Sequence, residues 1–116
     1  MTTTTSNKLL ILWTSGDRDV ALGMALMYAV NAQRHGWWDL VTLLVWGSSQ
    51  KLMLADEEVR RCVDDFKAAG GRLIACKSCA EMFGVEEELA SAGVEVFGAG
   101  MTLTNWLKSD CPVVTF

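Results

Sequence analysis

Cys76-Lys77-Ser78-Cys79 is the one stretch of this chain with strong intrinsic reactivity. Cys76 ends a short apolar run, Arg72–Cys76, that reads as a strand, and Cys79 falls where a helix begins. A thiol beside an ammonium group and a helix N-terminus has its thiolate stabilised. Lys77, with Ser78 and the N–H groups opening the helix, would therefore lower the thiol pKa and sharpen the nucleophile. Two thiols at this spacing can also cycle between dithiol and disulfide.

The same four residues admit other uses. Two small side chains at a tight strand-to-helix junction need no chemistry at all. A thioredoxin-like site requires a proline opposite the motif, and the chain has a single proline, Pro112. A zinc site lacks a second Cys-x-x-Cys, and the one histidine, His35, has no ligand spacing with the thiols. No metal and no cofactor are expected.

The remaining candidates point to structure more than chemistry. Cys62 sits on the apolar face of a helix pattern, and Cys111 opens the last strand, where burial is expected. Cys111 would alternatively serve as a remote resolving thiol. His35 precedes Gly36 at a helix end, where an imidazolium suits the C-terminal dipole. Thr14-Ser15-Gly16-Asp17 offers capping oxygens and N–H groups. Neither a P-loop nor a dinucleotide fingerprint is present there, so it reads as an ordinary helix start. Glu86-Glu87-Glu88 reads as a solvated helix face.

The elements that position these residues follow from periodicity. Leu9–Trp13, Leu40–Trp46 and Arg72–Cys76 are continuously apolar or nearly so, as strands buried on both faces are. Val94–Phe97 and Val113–Thr115 supply a fourth and a fifth strand. Between them lie helical patterns over 18–35 and 50–69, a short helix near Cys79, another over 86–91, and a last one over 101–108. In the second, Leu52, Ala55, Val59, Cys62, Val63 and Phe66 fall on one face, and Gly70-Gly71 stops it. Strands alternating with helices predict an α/β three-layer sandwich with a five-stranded, mainly parallel sheet. Residues 1–7 are expected to be a flexible N-terminal segment, and 8–116 a single domain.

In such a sheet ligands meet the carboxyl ends of the strands. Those ends carry Trp13-Thr14-Ser15-Gly16, Trp46-Gly47-Ser48, the Cys76–Cys79 stretch and Gly98-Ala99-Gly100. A pocket lined by Trp13, Thr14, Ser15, Gly16, Trp46, Gly98, Gly100 and Trp106 is expected there, with core packing of the tryptophans as the alternative.

The 116 residues are 51% hydrophobic and 21% charged, which excludes a disordered chain and supplies a core. Ten Lys and Arg against 14 Asp and Glu give a net charge of −4 with no basic cluster, so nucleic acid is not an expected partner. No apolar run is long enough for a signal peptide or a membrane span, and a cytoplasmic protein is expected. One helix is unusual: from Val20 to Val30 it carries no charge, and Trp37-Trp38 follow it. Either loops cover its outer face, or that face is a subunit interface.

Cys76-Lys-Ser-Cys79-Ala80-Glu-Met-Phe-Gly84-Val85, the opening strand followed by Thr14-Ser15-Gly16-Asp17, and the order of elements together resemble the DsrE/TusD-like family of small sulfur-relay proteins. The resemblance covers nearly the whole chain. Its most specific piece is a cysteine ending the third strand with a glycine eight residues later. Members often have Arg-Gly there, where this chain has Phe83-Gly84. The resemblance implies a five-stranded parallel sheet assembled as homo-oligomers, trimers or hexamers, with sulfur donor and acceptor proteins as partners. It further implies that Cys76 carries a persulfide and that Cys79 matches a second cysteine found in some members. The function expected is a sulfur carrier or sulfurtransferase acting through Cys76. The alternatives are a non-catalytic oligomeric ligand-binding module, or a Cys76–Cys79 dithiol redox protein.

Overall fold

The computed structural model describes residues 7–116, so residues 1–6 of the expected flexible segment lie outside the described residues. Asn7 is held: its backbone oxygen accepts from Asp39 N–H at 2.7 Å, and its Nδ2 donates to Asp39 Oδ1 at 2.8 Å.

The strands are β1 (Lys8–Trp13), β2 (Leu40–Val45), β3 (Arg72–Cys76), β4 (Glu95–Phe97) and β5 (Val113–Thr115). They form one sheet in the order β4-β3-β2-β1-β5, and every pairing is parallel. The connections step one way from β1 to β4, then cross back to place β5 beside β1. Alternation along the strands separates two cores. Leu9, Ile11, Trp13, Val41, Leu43, Val45, Leu73 and Ala75 face one way, against Ala25, Leu26, Val59, Phe66 and Leu89 from the helices that precede β4. Leu10, Leu44, Ile74 and Cys76 face the other way, against Ala99, Leu103 and Trp106. The expected three layers are present, and the third is one helix.

The helices are α1 (Arg18–Val20), a π-helical turn (Ala21–Ala25), α2 (Leu26–Arg34), α3 (Ser49–Ala55), α4 (Glu57–Ala68), α5 (Lys77–Phe83), α6 (Glu86–Ser91) and α7 (Ala99–Leu107). Asp17 starts α1, its carboxylate accepting from Asp19 N–H at 2.8 Å and Val20 N–H at 3.1 Å. The helix expected over 50–69 is two helices. Asp56 takes an extended conformation that ends α3, and its carboxylate caps α4 through Glu58 N–H and Val59 N–H. Ala55, expected on the buried face, is consequently exposed. Helix α4 ends as expected at Gly70, whose φ of +101° lets Gly71 N–H close back on Phe66 O at 3.1 Å.

The uncharged first helix turns Ala21, Ala25, Leu26, Ala29 and Ala32 into the core. Its outer face is bare: Met24 and Met27 are 55% exposed, with Tyr28 and Trp37 beside them. Loops do not cover it. Among the described residues no helix is long and apolar enough to cross a membrane.

Candidate active site

The carboxyl edge of the sheet is built from three strand ends. β1 ends at Trp13, β2 at Val45 and β3 at Cys76. Two buried polar side chains after β2 tie them together. Ser49 Oγ donates to Trp13 O at 2.6 Å and to Trp46 O at 3.1 Å. Gln50 Nε2 donates to Val45 O at 3.1 Å and to Cys76 O at 3.0 Å. Both residues are fully buried. Sequence reasoning took them only as a loop residue and a helix start; a polar side chain buried by contacts made across the fold leaves no periodic signal.

Cys76 ends β3 and is also the N-cap residue of α5, so α5 starts at Lys77, two residues before the expected start, and Cys79 lies in its first turn. This junction brings the two sulfurs together. Both thiols belong to one apolar cluster, with Trp46, the residue after β2, beside them. Cys76 is 4% exposed and Cys79 half-buried, in a cluster with Trp46, Phe97, Ala99 and Leu103. Burial pushes the Cys79 thiol up from its ordinary pKa. The neighbouring Cys76 pushes the same way. None of the four cysteines is in a disulfide.

Lys77, the charged helper expected at the site, is exposed. Lys77 extends to Glu86 Oε2, 4.0 Å away, which draws its ammonium toward α6, and Ser78 is exposed.

The three tryptophans do not converge. Trp13 is fully buried in the core on the opposite face of the sheet. Its register partner is Val45, so Trp46, one residue further on, faces the other way. Trp106 shares the thiols' cluster but lies two turns along α7 from Ala99, lining a hollow of about 350 Å³ with Lys8, Ser109 and Cys111. Of that expected set, Trp46, and Gly98 and Gly100 at the start of α7, remain at the thiol edge. Thr14 and Ser15 are engaged with the chain itself: Thr14 N–H and Oγ1 donate to Phe116 O, and Ser15 Oγ accepts from Asp17 N–H. Gly16 lies against Ser48, where a Cβ would come within 3.0 Å of the Ser48 Cβ.

Cys62 is half-buried against the larger core, where burial and the nearby Asp65 and Glu58 push its thiol up. Cys111, expected to be buried, is half-buried. His35 Nδ1 lies 2.9 Å from Asn31 O at the end of α2, and its ring stacks on Trp37. An open hollow of about 670 Å³ between α3, α4 and α6, lined by Lys51, Leu54, Arg60, Val85, Glu87 and Glu88, holds no cysteine. Among the described residues no three His, Cys, Asp or Glu side chains are grouped to hold a metal ion.

Two solved structures share this architecture. A conserved protein of unknown function from Bacteroides thetaiotaomicron, BT1422, matches with a TM-score of 0.91 and 34% sequence identity over 95% of each chain. The ychN protein from E. coli matches with a TM-score of 0.73 and 18% identity, over 94% of this chain and 98% of its own. The second likeness is one of fold. No family model and no curated protein matches the sequence.

Proposed function

The chain belongs to the same family as BT1422, and for it we propose a sulfur-carrier function centred on Cys76. In this reading the Cys76 thiolate attacks the outer sulfur of a donor persulfide, R–S–SH. The donor leaves as R–SH, Cys76 holds the sulfur as Cys76–S–SH, and an acceptor thiol takes it in the reverse sense. The observation that carries the reading is the placement of Cys76 and Cys79 together in one apolar cluster at the carboxyl edge of a parallel sheet. That edge is where α/β sheets place their chemistry. Surrounding apolar side chains keep water from a reactive persulfide.

The resemblance to the DsrE/TusD-like sulfur-relay family supports the same assignment, as does the DsrE-like fold. Donor and acceptor are then proteins or small molecules bearing a persulfide and a thiol. A carrier of this kind works with reduced thiols, which supports a cytoplasmic location. The bare outer face of the first helix supports a homo-oligomer, a trimer or hexamer, joined through Met24, Met27, Tyr28 and Trp37.

Intact-protein mass spectrometry after incubation with a persulfide donor tests the carrier. The expected result is a gain of one sulfur, about 32 Da, in wild type and in Cys79→Ser, and none in Cys76→Ser. Loss of two hydrogens requiring both cysteines would make the protein a dithiol redox protein instead. An unchanged mass in wild type would end the carrier reading.

A further inference from the structure

The hollow of about 670 Å³ between α3, α4 and α6 holds no cysteine, and persulfide loading of Cys76 makes no use of it. It opens where Asp56 interrupts the helical run. Extended backbone at that residue separates α3 from α4 and leaves Leu54 half-buried and Ala55 exposed at the junction. Helix α6, anchored in the core by the fully buried Leu89, packs against α3 and supplies the third wall. The volume lies within the roughly 300–1,000 Å³ of small-molecule sites.

Its walls carry charge of both signs. Lys51 of α3 and Arg60 of α4 line it together with Glu87 and Glu88 of α6, while Leu54 and Val85 add apolar surface. These opposite charges do not close on one another. The ion pairs among the described residues join Arg18 to Asp56 and Glu58, Arg72 to Glu95, and Lys77 to Glu86, and none crosses the hollow. Lys51 Nζ rests instead over the Phe83 ring, 4.5 Å from its centroid. Arg60 is half-buried, and its Nε is enclosed without a hydrogen-bond partner. A charged group's donor withdrawn from water with no acceptor is costly. A guanidinium fork turned to a carboxylate makes two parallel N–H···O bonds and removes that cost.

We propose that this hollow binds a small zwitterion with an apolar body, an α-amino acid or a short peptide, its carboxylate on Arg60 and Lys51 and its ammonium on Glu87 and Glu88. A ligand of single charge does not suit it. An anion on Arg60 also meets the field of two carboxylates, and a cation on the glutamates meets that of the guanidinium and of Lys51. A molecule carrying both charges satisfies each wall, and the opposed charges fix its direction. Its apolar side chain covers Leu54 and Val85, which are otherwise left half in water. The site is independent of the carrier reading: the helices around it pack on one face of the sheet, and the thiols belong to the cluster on the other.

The test is titration of the isotope-labelled full chain, read by backbone amide NMR, with L-leucine, L-methionine and L-leucyl-L-leucine as probes. At least one of them should shift the amides of 51–60 and 85–91 saturably, with half-saturation at or below about 10 mM. The amino acids and the dipeptide separate the two sources of this chemistry. Isocaproate, which is leucine without its ammonium, and isoamylamine, which is leucine without its carboxylate, should each bind about tenfold more weakly than L-leucine or worse. Arg60→Gln, and Glu87→Gln with Glu88→Gln, should each weaken the bound probe by a similar factor, and Cys76→Ser should bind it as wild type does. No saturable shift with any of the three probes overturns the site. So does a single-charge analogue that binds as tightly as the zwitterion, or a folded Arg60→Gln with unchanged affinity. If Arg60→Gln does not fold, the two exposed glutamates decide, and unchanged affinity in their double variant overturns the site. Mass gain at Cys76 is read separately: its absence ends the carrier reading and leaves this site, and absence of probe binding leaves the carrier.

Discussion

Gln50 and Cys76, 26 residues apart, are joined by one buried hydrogen bond of 3.0 Å from the Gln50 amide to the Cys76 carbonyl. The same nitrogen donates to Val45 O, so one side chain sets the end of β3 against the end of β2. Replacing Gln50 by leucine keeps the bulk and leaves both carbonyls without this donor. A buried polar group left unpaired costs roughly 1–3 kcal/mol. The loss is offset in part because Gln50 Oε1, itself buried without a partner, is removed as well. Gln50→Leu is therefore expected to lower stability by about 2 kcal/mol, read as a lower urea midpoint with an unchanged slope. A wild-type midpoint would mean that the bridge contributes nothing to the fold.

How much of this was legible depends on how local the cause is. The strands were, because an apolar run such as Leu9–Trp13 has one comfortable place, the middle of a sheet. The break at Asp56 is local too, an acceptor followed by Glu57-Glu58, but the apolar spacing from Leu52 to Phe66 runs straight across it and suggests one helix. The cysteine pair was legible from spacing. Its surroundings were not, since Lys77 is drawn to a glutamate nine residues on and Trp46 joins the cluster from a different strand end. Trp13 is instructive: in register with Val45, it faces away from Trp46, and only the register reveals that. That the third layer is one helix follows from β5 crossing back beside β1, which is a property of topology and not of any segment.

Access to Cys76 should be controlled by α7. The thiol is nearly sealed, and Leu103 is among the side chains clustered over it. Truncating this half-buried leucine removes cover at a cost below the 2–5 kcal/mol of a fully buried one, about 1–2 kcal/mol. Leu103→Ala is expected to remain folded and to raise the alkylation rate of Cys76 several-fold over wild type at neutral pH. An unchanged rate would show that reagents reach Cys76 by another route, through Cys79 and the exposed Ser78.

Asp56 makes stability depend on acid pH. Its carboxylate accepts from Val59 N–H and Glu58 N–H at the start of α4 and from Arg18 Nε at 2.7 Å; Arg18 also pairs with Glu58. The backbone bond from Val59 and the Arg18 guanidinium hold its pKa below the usual carboxylate value. A depressed folded pKa means that the charged form is favoured by folding. The contribution is complete above the unfolded value, about pH 4, and disappears as pH falls through the lower folded value. Asp56→Asn keeps a capping oxygen and removes the titration. Wild type should therefore lose more of its melting temperature than Asp56→Asn on acidification below about pH 4, and parallel curves would exclude Asp56 as the source.

The outer face of the first helix yields the last expectation. Met24 and Met27 project from it in solvent, Tyr28 and Trp37 pack ring to ring at 5.9 Å beside them, and Trp38 Nε1 ties the loop back to Tyr28 Oη at 3.0 Å. The residues that hold this helix to the sheet are others, Ala21, Ala25, Leu26 and Ala29. Association can therefore be separated from folding. The double substitution Met24→Glu and Met27→Glu places two carboxylates where a partner's apolar surface would have to desolvate them, at several kcal/mol per buried charge. Light scattering behind size exclusion should show wild type as a trimer or hexamer and the double variant as a monomer, with the same circular dichroism and a melting temperature lowered only by the loss of assembly. A wild-type protein that runs as a monomer at all concentrations would remove the oligomer and leave this face without a role in assembly.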